Sequence, residues 1–382
     1  MKIGIVVPFS WSYWGGVVEH AENQAEALRA RGHEVKILIG HDPPGHFTRL
    51  LHPRSGRHGD LPPEVIPVGR SVVVPANGSL PNIVLSPRTV GRVRDVLARE
   101  RFEVLHLHEP MTPAICVATL ALARCPLVAT WHAAGELGWM TAGMWFWGFL
   151  MERIDGRIAV SQQAAASAAR WVGPEFEIIP NGVVVPPRAD PANRDHHVVF
   201  IGRHDARKGL PVLLRAWPEI RRRSGARLRL IGTDPLQYRL LHARMRFDDD
   251  GVDVLGIVTN EVRDRELARA KLFVSPALGG ESFGMVIAEA FATATPVVAS
   301  DIPGFADVVT ADAAMLVPPG DERALADAVV ALLDDEPRRA RMGRAARALA
   351  EERYGWDDVA RRLEGIYERV AASGVSRRDS AA

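Results

Sequence analysis

The segment Gly279-Gly280-Glu281-Ser282-Phe283-Gly284-Met285-Val286-Ile287-Ala288-Glu289-Ala290 decides how the second half of the chain folds. It follows the apolar run 271–277, KLFVSPA, which is typical of a buried parallel strand. The residues up to Ala292 favour a helix, and Ser282 is a residue type that caps helix N-termini well. The pattern therefore predicts a strand, a glycine turn and a helix that begins near Ser282.

The two glutamates of this segment have a spacing that suits a long polar ligand. Glu281 and Glu289 are eight positions apart, or ~12 Å along a helix axis. Glycines let the backbone approach a ligand, and the first N–H groups of a helix attract an anion. Because a carboxylate accepts two sugar hydroxyls well, the spacing suits a nucleotide sugar with its pyrophosphate between the glutamates. A capped helix with two solvated glutamates explains the same residues equally well.

Length and composition bound the class of protein. The 382 residues are enough for two domains, and 47% hydrophobic residues indicate a globular chain. The net charge of +1 provides no overall attraction to nucleic acid, and no uncharged run reaches the ~18 residues of a membrane span. Met1-Lys2 leads straight into a strand, so we expect no secretory signal and a cytoplasmic location. Cys116 and Cys125 are expected to be buried free thiols.

Strand-like and helical runs alternate in both halves of the chain, which implies parallel sheets with right-handed crossovers. The segment 184–195 is dense in proline and charge and is the best domain boundary. We therefore predict an α/β fold of two doubly wound Rossmann-like domains facing a deep cleft. The N-terminal domain covers 1–183 and the C-terminal domain 196–355. A C-terminal helix within 356–382 is expected to return to the N-terminal domain, followed by a polar tail.

The first half carries candidate ligand-binding residues where its strands end. The strand 2–8 passes through Gly15-Gly16 into a helix, a geometry that suits a phosphate although many turns carry a Gly-Gly pair. The strand 102–109 ends in His106, His108 and Glu109, with both histidines on one face. A zinc site needs more ligands than these, so hydrogen-bonding roles are favoured.

His132 ends another strand, over 126–132. Ligands of open α/β sheets bind at the carboxyl ends of strands, so His132 is a candidate for contact with a ligand, with a structural role as the competing interpretation.

Two cations lie in the loop that ends the first strand of the second half. Arg203 and Lys208 precede a helix, and fixed cations at that place suit a pyrophosphate and stabilise it as a leaving group. Asp248, Asp249 and Asp250 read as a solvated turn beside Gly251. We therefore expect no metal, with the two cations in the place of a divalent ion.

Two segments bear on membrane contact. The helix predicted over 87–99 has an apolar face and arginines elsewhere, so it suits either an anionic membrane surface or ordinary solvent exposure. Residues 137–151 carry no charge and three tryptophans, and suit a core helix slightly better than a lid with aromatic side chains at an interface.

The sequence resembles the retaining glycosyltransferases of family four, which have the GT-B fold, over nearly its whole length. Within that family it is most similar to the phosphatidylinositol mannosyltransferases of actinobacteria. The carriers of the resemblance are Gly15-Gly16, His132, Pro180-Asn181-Gly182-Val183, the Gly202–Gly209 loop, Glu281 and Glu289, together with Asn77-Gly78-Ser79 and His106 to Pro110.

The resemblance implies transfer of mannose from GDP-mannose with retained anomeric configuration, without a cofactor or metal. It implies a lipid acceptor such as phosphatidylinositol, a peripheral position on the inner face of the plasma membrane and no nucleic-acid partner. The residues implied as catalytic are His132, Arg203, Lys208 and Glu281. Those implied in substrate binding are Gly16 at the donor phosphates, Val258 at the base, Phe283 and Gly284 through backbone N–H groups, Glu289 at the ribose, and Asn77 and Ser79.

One departure keeps alternatives open. The residues after His132 are Ala133-Ala134-Gly135-Glu136-Leu137, which are acidic and without lysine. The alternatives are a glycosyltransferase that uses a UDP-sugar and a small soluble acceptor, and a non-catalytic nucleotide-sugar-binding partner protein.

Overall fold

The structure is a computed structural model. It describes residues 1–13, 15–45, 48, 61–74, 82–132, 144–187, 194–203 and 205–379, with the side chains of 144–147 and 374–379 left out. The chain forms two compact units. The first combines Met1–Gly182 with Trp356–Ala382, and the second is Val183–Gly355. The second unit thus begins at the start of the proline-rich segment, which the sequence analysis treated as a separate linker.

The first unit contains a parallel sheet in the order β3-β2-β1-β6-β7-β8-β9. Parallel neighbours need crossover connections, and such segments join these strands. β4 and β5 form an antiparallel pair that joins β1 through Phe9 and Ile83. The strands are β1 Lys2–Ser10, β2 Glu34–Gly40, β3 Val65–Gly69, β4 Ser71–Val73, β5 Asn82–Val84, β6 Val104–His108, β7 Leu127–Trp131, β8 Gly156–Ala159 and β9 Glu177–Ile178.

Helices cover both faces of this sheet, and each face has its own buried apolar cluster. The C-terminal helix packs on the same face as the first helix and contributes Val359, Leu363, Ile366 and Tyr367 to the core there. The C-terminal segment is therefore an integral part of the first unit. The helices are α1 Gly16–Ala30, α2 Arg88–Glu100, α3 Ile115–Leu122, α4 Met144–Met151, α5 Gln162–Val172 and, last in the chain, Trp356–Asp379, which is α12 below.

The second unit has a parallel sheet in the order β12-β11-β10-β13-β14-β15. Trp217 and Phe200 are fully buried in its core. The strands are β10 Asp195–Ile201, β11 Arg227–Ile231, β12 Val252–Gly256, β13 Ala270–Ser275, β14 Val297–Ser300 and β15 Ala314–Val317; the helices are α6 Leu210–Ser224, α7 Pro235–Met245, α8 Asn260–Arg269, α9 Met285–Ala292, α10 Glu322–Asp334 and α11 Glu336–Leu349.

Both sheets have a topological switch point beside their first strand. β1 lies between β2 and β6, and β10 lies between β11 and β13, so the chain winds outward in opposite directions from each. Open α/β sheets bind ligands where the strand order reverses, outside the carboxyl ends of the strands. Ligand-binding residues are therefore expected in the loops after β1 and β6 in the first unit and after β10 and β13 in the second.

The predicted parallel α/β fold is confirmed, with one helix start misplaced. Helix α9 begins at Met285, not near Ser282, and its N-cap is Gly284 with φ of +85° and no side-chain cap. The left-handed backbone at Gly284 turns the chain before the helix can start. Glu281 therefore precedes the helix, and the prediction that both glutamates lie 12 Å apart along one helix axis is wrong.

Several smaller expectations have clear outcomes. Cys116 is a buried thiol as expected, whereas the Cys125 thiol is only half-buried. Of the uncharged run 137–151, only α4 lies within the described residues. Among those residues, every helix is too short or too polar to cross a bilayer.

Candidate active site

The loop after β10 carries Arg203 and Lys208 at the switch point of the second unit. Residues Ala206–Lys208 form a short 3₁₀ helix, which begins where the Asp205 side chain accepts the Arg207 N–H. Gly209 ends this helix with φ of +71°, and a Cβ there would lie 1.8 Å from the Pro276 carbonyl oxygen. Only glycine fits at this position, because the loop packs directly against the chain that follows β13.

Arg207 fastens that loop to the segment 278–281. Its guanidinium donates to the Gly280 carbonyl at 3.0 Å, and its own carbonyl accepts the Leu278 N–H at 2.7 Å. The result is an ion pair between Lys208 and Glu281, with 2.8 Å between Nζ and Oε1. The structure thus joins the two sides of the switch point through a cation and a carboxylate that the sequence had singled out separately.

The backbone around Glu281 is held by close packing. A Cβ at Gly304 would lie 1.8 Å from the Glu281 carbonyl oxygen, so a larger residue does not fit there. Phe283 is 2% exposed and packs edge-on against Tyr354, with ring centroids 5.7 Å apart. Since its side chain is buried in the core, only the backbone of Phe283 is available to a ligand, and the role of the Phe283 and Gly284 N–H groups stays a prediction.

Glu289 also has a cation beside it. Arg263 of α8 lies with Nη2 3.4 Å from Glu289 Oε1, and both side chains are more than 80% buried. α8 follows half-buried Val258, the residue predicted to lie at the base of the nucleotide. Arg263 was missed by the sequence analysis, and no sequence signal separated it from the other arginines of that helix. Arg203 is exposed at the end of β10.

The first unit presents Gly16 at its switch point. Helix α1 begins at Gly16, and its N-cap Gly15 has an extended backbone with φ of −165° and no side-chain cap. Gly16 is exposed, and a Cβ built on it would meet no atom within 4 Å. The protein's own packing thus leaves room for a side chain at Gly16, and the free N–H groups of the helix start beside that space.

His132 follows β7 and is held by three neighbouring residues. Its Nε2 lies 2.8 Å from His108 Nδ1, and its Nδ1 lies 3.1 Å from Asn181 Oδ1. Its backbone N–H donates to Glu109 Oε1 at 2.9 Å. His108, Glu109 and Asn181 were quoted from the sequence as motif residues, but their contact with His132 was not foreseen.

The histidine pair belongs to a larger buried polar cluster. The His106 ring stacks on His108 with centroids 4.7 Å apart, which confirms that both histidines share a strand face. His106 also contacts the hydroxyls of Tyr367 and Thr130 at 2.5 and 2.7 Å. His20 of α1 lies edge-on to both His108 and His132. The cluster therefore ties α1, β6, β7 and α12 together.

Burial keeps these histidines neutral. It lowers the pKa of His132 to about 4 and that of His106 to about 3. Burial, reinforced by the neighbouring imidazoles, lowers the pKa of His20 and His108 as well. Near neutral pH these rings are therefore uncharged hydrogen-bonding groups.

His20, His108 and His132 can each direct one nitrogen to within 4.8 Å of the others, a spacing that a metal ion can use. Two of those rings are already joined by the 2.8 Å contact between His108 Nδ1 and His132 Nε2. A hydrogen bond accounts for that contact, so we interpret the cluster as a hydrogen-bonded network. The expectation that no metal is needed stays a prediction.

Asn77 and Ser79 lie outside the described residues. Of the other predicted site residues, the second unit brings Lys208 and Glu281 into contact and carries Arg203, Val258, Phe283, Gly284 and Glu289. Gly16 and His132 belong to the first unit.

The two switch-point sheets and the cation–carboxylate pairs define an α/β enzyme with the GT-B architecture of glycosyltransferases. Residues 14–185 match the family described as Glycosyltransferase Family 4, and residues 195–335 match the family described as Glycosyl transferases group 1.

Relatives and solved structures agree with that class. Phosphatidyl-myo-inositol mannosyltransferase of Mycobacterium leprae is 38% identical over 98% of both chains, and that of Propionibacterium freudenreichii is 33% identical over 96% of this chain and 94% of its own. Sucrose-phosphate synthase from Thermosynechococcus elongatus shares the fold at 22% identity, with a TM-score of 0.75 over 98% of this chain and all of its own. Anabaena HepE, solved with UDP, shares the fold at 21% identity, with a TM-score of 0.71 over 97% of this chain and all of its own.

The chain belongs to glycosyltransferase family 4 and is an enzyme of the hexosyltransferase class.

Proposed function

We propose that this enzyme transfers mannose from GDP-mannose to a hydroxyl of phosphatidylinositol, with retention of the anomeric configuration. The observation that carries the choice of sugar and acceptor is the similarity, over 94–98% of both chains, to relatives named phosphatidyl-myo-inositol mannosyltransferase. The Lys208–Glu281 pair at the switch point supports the reaction class, because it sets a cation and a sugar-binding carboxylate side by side.

The donor occupies the second unit in this proposal. Glu281 accepts hydroxyls of the hexose, Glu289 accepts those of the ribose, and the base lies at Val258. Lys208 and Arg203 hold the pyrophosphate and neutralise the charge that develops as the bond to the sugar breaks. Backbone N–H groups of Phe283 and Gly284 complete the contacts, so no metal is required.

Transfer occurs on one face of the sugar. The acceptor hydroxyl attacks from the side on which the nucleoside diphosphate departs, and the departing phosphate oxygen takes the acceptor proton. Gly16 lets the backbone approach the donor phosphates, and His132 lies near the reacting centre and orients the acceptor. This scheme needs no carboxylate nucleophile of the kind that retaining glycosidases use.

A surface of the first unit suits contact with an anionic membrane. Val72 and Val73 on β4, Leu85 after β5 and Val90 on α2 are exposed apolar side chains of neighbouring elements. Exposed arginines lie on or beside the same elements, and a combination of apolar and basic residues is typical of surfaces that lie on anionic lipid. The exposed arginines are Arg70, Arg88, Arg92, Arg94, Arg99 and Arg101.

A second candidate uses a UDP-sugar and a small soluble acceptor. The acidic Glu136 and the lack of lysine in 133–137 do not favour a phosphoinositol head group. In that case the exposed valines and arginines are an ordinary protein surface.

The test uses the full chain with radiolabelled GDP-mannose or UDP-glucose, and vesicles of phosphatidylcholine with or without phosphatidylinositol. We expect label to move from GDP-mannose into lipid only when phosphatidylinositol is present, and we expect chelator to leave the rate unchanged. NMR of the product reports whether the linkage keeps the donor's anomeric configuration. Transfer from UDP-glucose alone, or to no lipid, would contradict the proposal.

A further inference from the structure

The ring nitrogens of His132 are both occupied by neighbouring protein groups. Nδ1 faces Asn181 Oδ1 and Nε2 faces His108 Nδ1. His132 is 9% exposed, Asn181 5% and His108 fully buried. A general acid or base needs a ring nitrogen directed at the substrate. Both ring nitrogens of His132 instead face protein groups, those of Asn181 and His108.

The hydrogen-bond order fixes which nitrogen carries the proton. The carbonyl oxygen of Asn181 only accepts, so Nδ1 of His132 donates and the neutral ring has a lone pair at Nε2. That lone pair accepts from Nδ1–H of His108, and His108 Nε2 is then an unprotonated nitrogen without a partner among the described residues.

Turning the amide of Asn181 around would reverse this order. The amide N–H would then donate to His132 Nδ1, His132 Nε2–H would donate to His108, and His108 would bury an N–H at Nε2 without an acceptor. An unpaired buried N–H is rarer than an unpaired acceptor, because proteins rarely tolerate its desolvation. The Nδ1–H form of His132 is thus the favoured one.

The main chain of His132 is fixed as well. Glu109, whose side chain accepts the His132 N–H, has φ of +51°, a left-handed conformation that non-glycine residues seldom adopt. The strain is consistent with a backbone that is forced to direct this carboxylate at His132. Ring and main chain are therefore both held by residues at strand ends of the first unit.

The groups that face the ring keep it uncharged. His108 and His106 come from β6, His20 from α1, and all three are neutral because burial lowers their pKa. Glu109 accepts the main-chain N–H of His132.

We propose that Asn181 and His108 are positioning residues that hold His132 as a neutral Nδ1–H ring, so that His132 shapes the reaction site without moving a proton. The inference rests on the proposed function. Because His132 does not act as a base, the departing phosphate is the group that takes the acceptor's proton. No proton passes through the histidine pair, and the bond changes of the transfer are those given above.

The first test reads the tautomer in the unchanged protein and uses a variant only to assign the signals. The full chain is labelled with ¹³C,¹⁵N-histidine, and the His132 signals are assigned by their loss in His132→Gln. We expect ¹⁵N shifts of a protonated Nδ1 and an unprotonated Nε2, constant from pH 5.5 to 8. A protonated Nε2, or a titration of the ring within that range, overturns the proposal whether or not the enzyme transfers mannose.

The second test changes the charge at Asn181 and keeps its shape. In Asn181→Asp the carboxylate favours the imidazolium form, so the pKa of His132 rises. With the pKa raised by ~3 units from about 4, transfer from GDP-mannose to phosphatidylinositol falls by ~4-fold at pH 6.5 and ~30-fold at pH 5.5, and it recovers as the pH is raised. The matched control is Gln162→Glu, which makes the same amide-to-carboxylate change at an exposed position of α5 and keeps the wild-type pH profile.

A wild-type pH profile in a folded Asn181→Asp protein overturns the assignment. If that variant does not fold, the tautomer measurement on the unchanged protein decides alone. If wild-type enzyme gives no transfer, the proposed function fails, while the tautomer of His132 is still read directly.

Discussion

At the scale of residues, the two carboxylates proposed to bind the donor each have a cation beside them. Glu281 pairs with Lys208, and Arg263 lies beside Glu289. In the proposed donor complex, each carboxylate contacts both the donor and a fixed cation. The cation stays in place when the phosphate leaves. Catalysis by fixed charge of this kind costs no rearrangement during the reaction.

Replacing Glu281 by Gln separates activity from stability. The variant loses charged acceptors for sugar hydroxyls and leaves Lys208 without its counter-ion. We expect kcat/KM to fall by ~10²-fold or more, whereas a partly exposed ion pair contributes only about 0–1 kcal/mol to the free energy of unfolding. Transfer assays and urea unfolding measure the two quantities. Glu322→Gln, which breaks the exposed Arg215–Glu322 pair of the same unit, is the control and keeps full activity. Wild-type activity in Glu281→Gln would refute the role of Glu281.

The histidine cluster predicts how stability depends on pH. His20, His106, His108 and His132 have pKa values lowered by burial, so the unfolded chain binds more protons than the folded one below about pH 6.5. Their contribution to stability is complete above pH 6.5 and is lost as the pH falls toward 4. We expect the free energy of unfolding to fall by about 1.4 kcal/mol per pH unit for each histidine that protonates on unfolding.

Urea unfolding at pH 7.5, 6 and 5 measures this slope. His20→Gln removes one of these buried groups and lowers the slope. A free energy of unfolding that stays level from pH 6.5 to 5 would show that the cluster is not neutral in the folded protein.

At the scale of elements, the start of α1 offers a test of ligand approach. In Gly16→Ala the added methyl meets no protein atom within 4 Å, so the fold keeps its stability. A donor phosphate that comes close to this backbone meets the methyl directly, and a displacement of about 1 Å costs up to ~10²-fold in rate. We expect a raised KM for GDP-mannose with an unchanged midpoint of thermal unfolding.

Gly45→Ala is the matched control, because the Cβ built there also meets nothing within 4 Å and Gly45 lies outside the proposed site. A wild-type KM in Gly16→Ala would remove Gly16 from the donor site.

Helix α2 carries the test of membrane contact. Arg88, Arg92 and Arg94 are exposed, and each arginine near an anionic surface contributes ~1 kcal/mol to binding. Changing all three to Glu should reduce co-sedimentation with phosphatidylinositol vesicles by more than ~10²-fold in affinity, while phosphatidylcholine vesicles show little binding by either protein. The control reverses exposed Arg341 and Arg344 on α11, and equal loss in both variants would show a general charge effect.

Elements also show what the sequence could and could not predict. Apolar runs gave β1, β6, β7 and β13 because a strand buried on both faces has an unmistakable composition. The start of α9 was misplaced because Ser282 satisfied a local capping rule, whereas the chain turns at Gly284, where the backbone is left-handed and a Cβ would lie 2.9 Å from the Phe305 ring. β15 was missed because Ala314–Val317 is too short to have a period.

In the candidate site, too, local patterns could be predicted and tertiary contacts could not. Lys208 and Glu281 could be found because each lies in a glycine-bounded loop after a buried strand, but their mutual contact depends on Arg207 and on tertiary packing. The contacts of Asn181 and Arg263 join residues distant in sequence, and a single sequence provides no distance between them.

At the scale of the whole molecule, each unit has a core of its own, but they differ in how the chain supplies it. The second unit is the continuous segment Val183–Gly355, whereas the first needs the C-terminal segment that follows it. Of that segment, Val359, Leu363, Ile366 and Tyr367 are buried in the first unit's core. At ~1.5–3 kcal/mol for each large buried apolar side chain, their loss approaches the entire stability of a typical domain.

A chain that ends at Gly355 should therefore lose the fold of its first unit and keep that of its second. The proposed donor residues Arg203, Lys208, Glu281 and Glu289 all lie in the second unit, so this shortened chain should still bind GDP. In calorimetry we expect one transition, which GDP at a hundred times its Kd stabilises by ~2.7 kcal/mol, while UDP and ADP at the same concentration do less. Lys208→Met in the shortened chain should abolish the shift. If GDP has no effect on a folded second unit, the donor does not bind through these residues alone.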